Sequence, residues 1–170
     1  MSYASHNALS VARPAIQILT AVNIAYGLII TTLLASSFFI AGWPERPLGF
    51  DIVHMHPWAP TGLRMIVVIG ILGALLMHRI LRRLLAIVDT VRGGDPFIMD
   101  NARRLDAIAW SALLLEVLRL AVLGIVALVW EPGRFGSFSF VPWLAVLLLF
   151  VLAGVFAHGA RMRADLEGTV

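Results

Sequence analysis

Two ionisable side chains, Glu116 and Arg119, interrupt a run from Ala107 to Trp130 that is otherwise apolar apart from Ser111. Three residues apart on a helix is the same face, and the order suits pairing. At about 1.5 Å per residue from Ala107, Glu116 lies roughly 13 Å and Arg119 roughly 18 Å into a hydrocarbon layer. Neither charge can be buried there alone, so the two are expected to face a bundle interior and each other. One reading is a proton, ion or ligand site. The other is a neutralised pair that fixes helix register with almost no net stabilisation. Asn23, at a similar distance along the first apolar segment, is the expected polar neighbour.

Other chemistry-bearing residues are sparser. The stretch DIVHMHPW carries Asp51, His54 and His56. His-x-His beside a carboxylate suits zinc or copper, but a structural site normally needs a fourth ligand. These are therefore weak metal candidates, and interfacial histidines beside Trp58 are the plainer reading. His78 and His158 close the second and fourth apolar segments at one level, where a pair could clamp a haem, the basis of a haem- or quinone-handling reading. Such residues more often mark where a helix meets water. There is no cysteine, which removes thiol catalysis and disulfides. Nor is there a Gly-rich phosphate loop, a His-Glu-x-x-His or a nucleophile elbow. No cofactor and no catalytic residue are expected.

The elements that must position these residues follow from composition. The 170 residues are 60 % hydrophobic and only 14 % charged, with a mean hydropathy of +0.91. Such a chain needs hydrocarbon as part of its solvent. Four stretches approach the roughly 20 residues that cross about 30 Å of lipid core, and continuous helices are the form that satisfies their backbones. The expected class is all-α: a single polytopic membrane domain over 1–170, its four transmembrane helices in an antiparallel bundle. Helix 1 is placed at about 16–42, helix 2 at 62–91, helix 3 at 100–130 and helix 4 at 138–160.

All 13 basic residues are arginine, and their distribution carries more information than the net charge of +3. Arg13, Arg79, Arg82, Arg83, Arg92, Arg103, Arg104, Arg161 and Arg163 lie on one side of the four segments; Arg46, Arg64 and Arg134 lie on the other. The positive-inside tendency makes both termini and the central segment cytoplasmic. Trp43, Trp58, Trp130 and Trp143 fall at the opposite interface, with Trp110 at the inner one. The charge is too small and too interleaved with aspartate to indicate direct nucleic-acid binding. Small residues at fourfold spacing (Gly27, Thr31 and Ala35; Gly70 and Ala74; Ala153 and Ala157) suit close helix packing within the chain, or a homo-oligomer seam.

Past Met77 the polarity becomes two-sided. Ile80, Leu81, Leu84, Leu85, Val88 and Val91 follow the helical period, while Arg79, Arg82, Arg83, Asp89 and Arg92 take the other face. Gly93-Gly94 suits a helix stop, and Asp95-Pro96 a turn. Asp100 or Asn101 is a good N-cap for the returning helix. Helices 2 and 3 are thus expected to extend as a hairpin projecting roughly 15–20 Å into the cytoplasm. Its uses are structural packing, an amphipathic pair in the headgroup plane, or a docking surface in which Phe97 and Ile98 are exposed anchors. The docking reading takes Asp95, Pro96, Phe97, Asn101, Arg103, Arg104 and Leu105 as its residues.

The string GDPFIMDNARRLDAIAW resembles the signature of domain-of-unknown-function family 2975, small bacterial membrane proteins with four helices, through Gly94, Asp95, Pro96, Phe97, Asn101 and Leu105. The closing FAHGARMRADLEGTV is similar to that family's ending at Phe156, Gly159, Leu166, Glu167 and Val170, with Ala157 and His158 where a more polar pair is expected. The resemblance implies a multi-pass protein of the bacterial inner membrane and no known reaction. It also implies a partner, because family members are often paired with a small Cro-like helix-turn-helix regulator. The leading expectation is a non-catalytic sensory or regulatory component, a signalling protein that shows its cytoplasmic hairpin and tail to such a regulator. The first alternative is a small oligomeric transporter or channel subunit built on Glu116 and Arg119.

Overall fold

The structure, a computed structural model, describes residues 3–40, 43, 57–94, 96–129 and 139–167. Four helices account for nearly all of them: α1 (Tyr3–Phe39), α2 (Ala59–Arg92), α3 (Met99–Val129) and α4 (Val141–Glu167). Each is long and apolar enough to cross a membrane. The 34 residues of α2 and the 31 of α3 extend about 51 Å and 46 Å, well beyond an apolar layer of about 30 Å. Both therefore emerge from it, and the hairpin extension of helices 2 and 3 is present.

Each helix packs on its neighbours in sequence, α1 on α2, α2 on α3 and α3 on α4, with no direct helix contact between α1 and α4 among the described residues. The bundle is thus an open antiparallel layer. Small residues set the spacing, because lipid supplies little hydrophobic drive between helices. Gly27 lies against Ala74, where an added Cβ would be 3.8 Å from the Ala74 Cβ. Gly70 sits under Tyr26 and Ile30. At the other end of α2, a Cβ on Gly62 would fall 2.7 Å from Val129 Cγ2. Hydroxyls turn back on their own helices, as Thr20 does to Ile16 O (2.8 Å) and Thr31 to Gly27 O (2.7 Å), which keeps them paired in an apolar medium.

Helix α1 starts far earlier than position 16, at Tyr3, and runs through Pro14. Its early turns lie along the extended part of α2. Ile16 is buried with Leu81 and Val88, with Ala12 and Leu85 packed around them. Arg13 Nε meets Asp89 Oδ1 at 3.5 Å across the same contact. On the far flank, α4 packs against the extension through Ala153, Leu149 and Phe156, beside Ile87, Leu105 and Ile108. The hairpin is therefore flanked by the outer helices and does not project alone.

The turn forms largely as its residues dictate. Gly93 closes α2, its N–H donating to Asp89 O at 3.2 Å. Gly94 takes φ +91°, the described residue with a left-handed backbone, a conformation that a residue without Cβ adopts at no steric cost. The start of α3 differs from expectation. Asn101 and Ala102 donate their backbone N–H to Ile98 O, so Ile98 holds the cap position. Asn101 lies one turn in, and its side chain has found a tertiary partner instead of capping.

Candidate functional site

Asn101 is completely buried, and its side-chain hydrogen bonds all stay within the hairpin. Its Nδ2 donates to Thr90 Oγ1 at 2.8 Å and to Pro96 O at 3.0 Å. Its Oδ1 accepts from Arg104 Nη1 at 2.9 Å. Thr90 also donates to Ile87 O (2.7 Å), and Arg104 reaches Ala86 O at 3.4 Å. One amide thus ties the end of α2, the turn and the first turns of α3 together. A buried amide lacking such partners would cost more than its hydrogen bonds return, so the cluster is all-or-nothing. Leu105 continues it as a buried side chain of the adjoining core.

Phe97 fastens the turn to α4. Its ring centroid is 5.1 Å from that of Phe156, tilted by 37°. A Cβ on Gly159 would lie 3.0 Å from Phe97 Cδ1, so the ring rests on bare backbone. The GDPF turn and the closing FAHG segment, distant in sequence, are therefore two halves of one contact. Of the seven residues expected to form a docking surface, Phe97, Asn101, Arg104 and Leu105 are turned into the hairpin and its flanks. Phe97 keeps one exposed side (43 %), and Pro96 gives its carbonyl to Asn101. Asp95 lies outside the described residues. Arg103 remains well exposed, 3.6 Å from Asp100.

Several polar contacts between helices were not expected from the sequence. Arg83 on α2 donates from Nη1 to Ala107 O (3.1 Å) and Ser111 Oγ (3.3 Å) on α3. Ser111, read as an ordinary membrane-helix serine, is buried at this crossing. At the other end of the bundle, Arg64 donates to Ser37 O (2.7 Å) and Ser37 Oγ (3.2 Å). Its guanidinium also lies 4.9 Å from the ring centroid of Phe38 and 5.3 Å from Trp43. A cation on the last carbonyls of α1 is favoured by the helix dipole, and planar guanidinium suits the stacking. The only sequence signal for these was an arginine beside an apolar run.

Glu116 and Arg119 do pair, with Arg119 Nε 2.7 Å from Glu116 Oε2. Arg119 Nη2 is buried without a hydrogen-bond partner in the structure. Asn23 does not join them. Its amide donates to Ala74 O at 3.0 Å on α2, and α1 makes no direct helix contact with α3. In an open layer a residue of α1 cannot reach the middle of α3, so the expected three-residue site reduces to the ion pair.

His78 lies on α2 with Nδ1 buried and unpartnered, and His158 lies on α4 beside a groove under Phe97. The helices that carry them share no direct contact. Asp51, His54 and His56 fall outside the described residues, and no cluster of three His, Asp or Glu side chains occurs among the described ones.

The arrangement holds the hairpin end in one shape. No curated protein and no solved structure matches the chain. The family described as "Protein of unknown function (DUF2975)" matches residues 34–170. That span includes the Gly94–Phe97 turn, the Asn101 cluster and the Phe156–Gly159 seat, and most of α1 precedes it. Over that length the match leaves no ambiguity, and the chain belongs to the DUF2975 family.

Proposed function

We propose that this protein is a non-catalytic membrane component of the bacterial inner membrane. Its locked hairpin end would lie on the cytoplasmic side and present a fixed polar surface to a regulatory protein. The Asn101 cluster carries the reading. It consumes the hairpin's motif residues in holding the turn, and leaves Arg92, Arg103 and Asp106 exposed on a surface beyond the apolar spans. A surface of fixed geometry loses little freedom when a partner binds. The arginine excess at this end supports the inward orientation. A small helix-turn-helix regulator, as the family resemblance implies, is the partner class.

Co-expression with a small Cro-like helix-turn-helix regulator of the class the family resemblance implies, followed by membrane sedimentation, tests this. The regulator should sediment with wild-type membranes and be released by Arg92→Glu combined with Arg103→Glu. A regulator that stays in the soluble fraction with the wild-type protein contradicts the proposal. A second reading, a small oligomeric transporter subunit, draws on the buried unpartnered Nη2 of Arg119. Among the described residues the open layer of helices encloses no path, so that reading calls for further copies.

A further inference from the structure

We propose that the outward face of the α2–α3 pair binds an anionic phospholipid headgroup through Arg79, Arg82 and Arg83, at the edge of the apolar layer. The level of these residues comes from both helices. Counted from Ala59, Arg79 lies about 30 Å along α2, where a hydrocarbon core of that thickness ends. Counted from Val129, Trp110 lies about 29 Å along α3. The helices are antiparallel neighbours, so the two counts agree: arginines and indole share the headgroup level, where the hairpin extension begins. At i, i+3 and i+4 the three arginines share one side of α2. Arg83 bridges to α3, its Nη1 donating to Ala107 O and Ser111 Oγ on the turn that carries Trp110. Below this band the same face is apolar and exposed, through Val68, Leu72 and Leu75 on α2 and Leu114 and Val117 on α3. From Val68 to Arg79 is about 16 Å, close to the depth of one leaflet's hydrocarbon.

Acyl chains wet any bare membrane helix, so what sets this face apart is unpaired, partly fixed charge at the depth of a phosphate. Arg79 and Arg82 are exposed, and among the described residues neither has an ion pair or a hydrogen bond to the protein. The two bonds of Arg83 pin its guanidinium and leave Nε and Nη2 without a protein partner. Such a preset planar donor loses little freedom on meeting a phosphate. Trp110 is held by an edge-on contact with Phe150, centroids 5.3 Å apart, and an indole at this depth suits the interface. Acidic groups do not cancel the band. Asp89 meets Arg13 and Asp100 meets Arg103, while exposed Asp106, a turn beyond Trp110, leaves three arginines against one carboxylate. An anionic head gains from each arginine by about fivefold; a choline head brings its own cation and gains less. The inference concerns lipid only, and stands whether or not the hairpin also binds a protein.

Native mass spectrometry of the detergent-purified full chain, with phosphatidylglycerol and phosphatidylcholine added in turn, reads the occupancy. Arg79→Gln combined with Arg82→Gln removes the two unpaired guanidiniums. Arg92→Gln combined with Arg161→Gln removes the same charge from exposed positions beyond the layer, and is the matched control. Wild type and control should each retain one phosphatidylglycerol, preferred over phosphatidylcholine by about tenfold. The Arg79/Arg82 variant should lose that preference by about tenfold while its unfolding temperature stays unchanged. Equal losses in the two double variants would mean attraction to net charge, with no site, and would overturn the proposal. Equal retention of phosphatidylcholine by wild type, or a second copy of the chain in place of lipid, overturns it as well. If the Arg79/Arg82 variant fails to fold, the wild type decides, through a phosphatidylglycerol with a photoreactive acyl chain. Adducts concentrated on residues 68–75 and 114–117 support the site, and adducts spread evenly over the four helices refute it.

Discussion

The ring of Phe97 rests on Gly159 so closely that any side chain there would have to displace it, its Cδ1 lying 3.0 Å from where a Cβ would stand. The contact joins the hairpin turn to the end of α4, and it explains why a glycine stands in a helix whose interior would otherwise favour alanine. Gly159→Val should lower stability by about 1–3 kcal/mol through overpacking. Adding Phe97→Ala should restore part of that loss, since the two residues share one space. Thermal unfolding of the two single variants and the double variant in detergent measures this. Strict additivity would show that the ring and the glycine do not meet.

Removing the amide that closes the hairpin should be costly, because it is completely buried. Asn101→Ala removes the amide partner of Thr90 Oγ1, of the Pro96 carbonyl and of one Arg104 N–H, all part-buried. About 2–3 kcal/mol is expected. Thr90→Val, which removes a single partner, should cost about 1 kcal/mol. Hydrogen exchange should show the loss concentrated at the end of α2 and the first turns of α3, while the membrane-embedded amides stay protected. Uniform loosening of all four helices would contradict the lock.

For the intramembrane pair the test is a comparison of single and double changes. Glu116→Gln leaves the Arg119 guanidinium without its carboxylate, and Arg119→Leu leaves the carboxylate without its cation. Each single should destabilise by about 2 kcal/mol, whereas the double variant should lie within about 1 kcal/mol of wild type. A double variant as damaged as the sum of the singles would mean that the charges act separately. That outcome would favour the transport reading.

The sequence was most legible where one physical rule acts alone. Four apolar runs of spanning length define four helices, and Gly93-Gly94 ends one of them, because hydrocarbon thickness and the cost of a left-handed backbone leave few other outcomes. Glu116 with Arg119 was legible for the same reason: two charges three residues apart in an apolar helix have each other as nearest remedy. Residues with two competing outcomes were not. Asn101 could cap α3 or bond across the hairpin, and local propensity favours the cap. Thr90, eleven residues earlier, decided it, and no periodicity relates those two positions. Arg104 and Phe97 look like surface residues in sequence because arginine and a post-turn aromatic usually are, yet their partners come from α2 and α4. Asn23 was assigned by its depth along α1, and depth says nothing about which helix lies alongside. The early start of α1 was hidden because the segment 3–10 carries Ser, His and Asn among its apolar residues, so it shows no continuous apolar signal.

That the hairpin end faces the cytoplasm, with four crossings behind it, is the claim on which the functional reading stands. The chain has no cysteine, so a single introduced one reports without ambiguity. Arg92→Cys, at the exposed end of α2, and Thr61→Cys, at its opposite end, are labelled in intact spheroplasts with a membrane-impermeant maleimide. The account predicts that Thr61→Cys reacts at once and that Arg92→Cys reacts only after the membrane is opened. Rapid labelling of Arg92→Cys in intact spheroplasts, with Thr61→Cys protected, would contradict it.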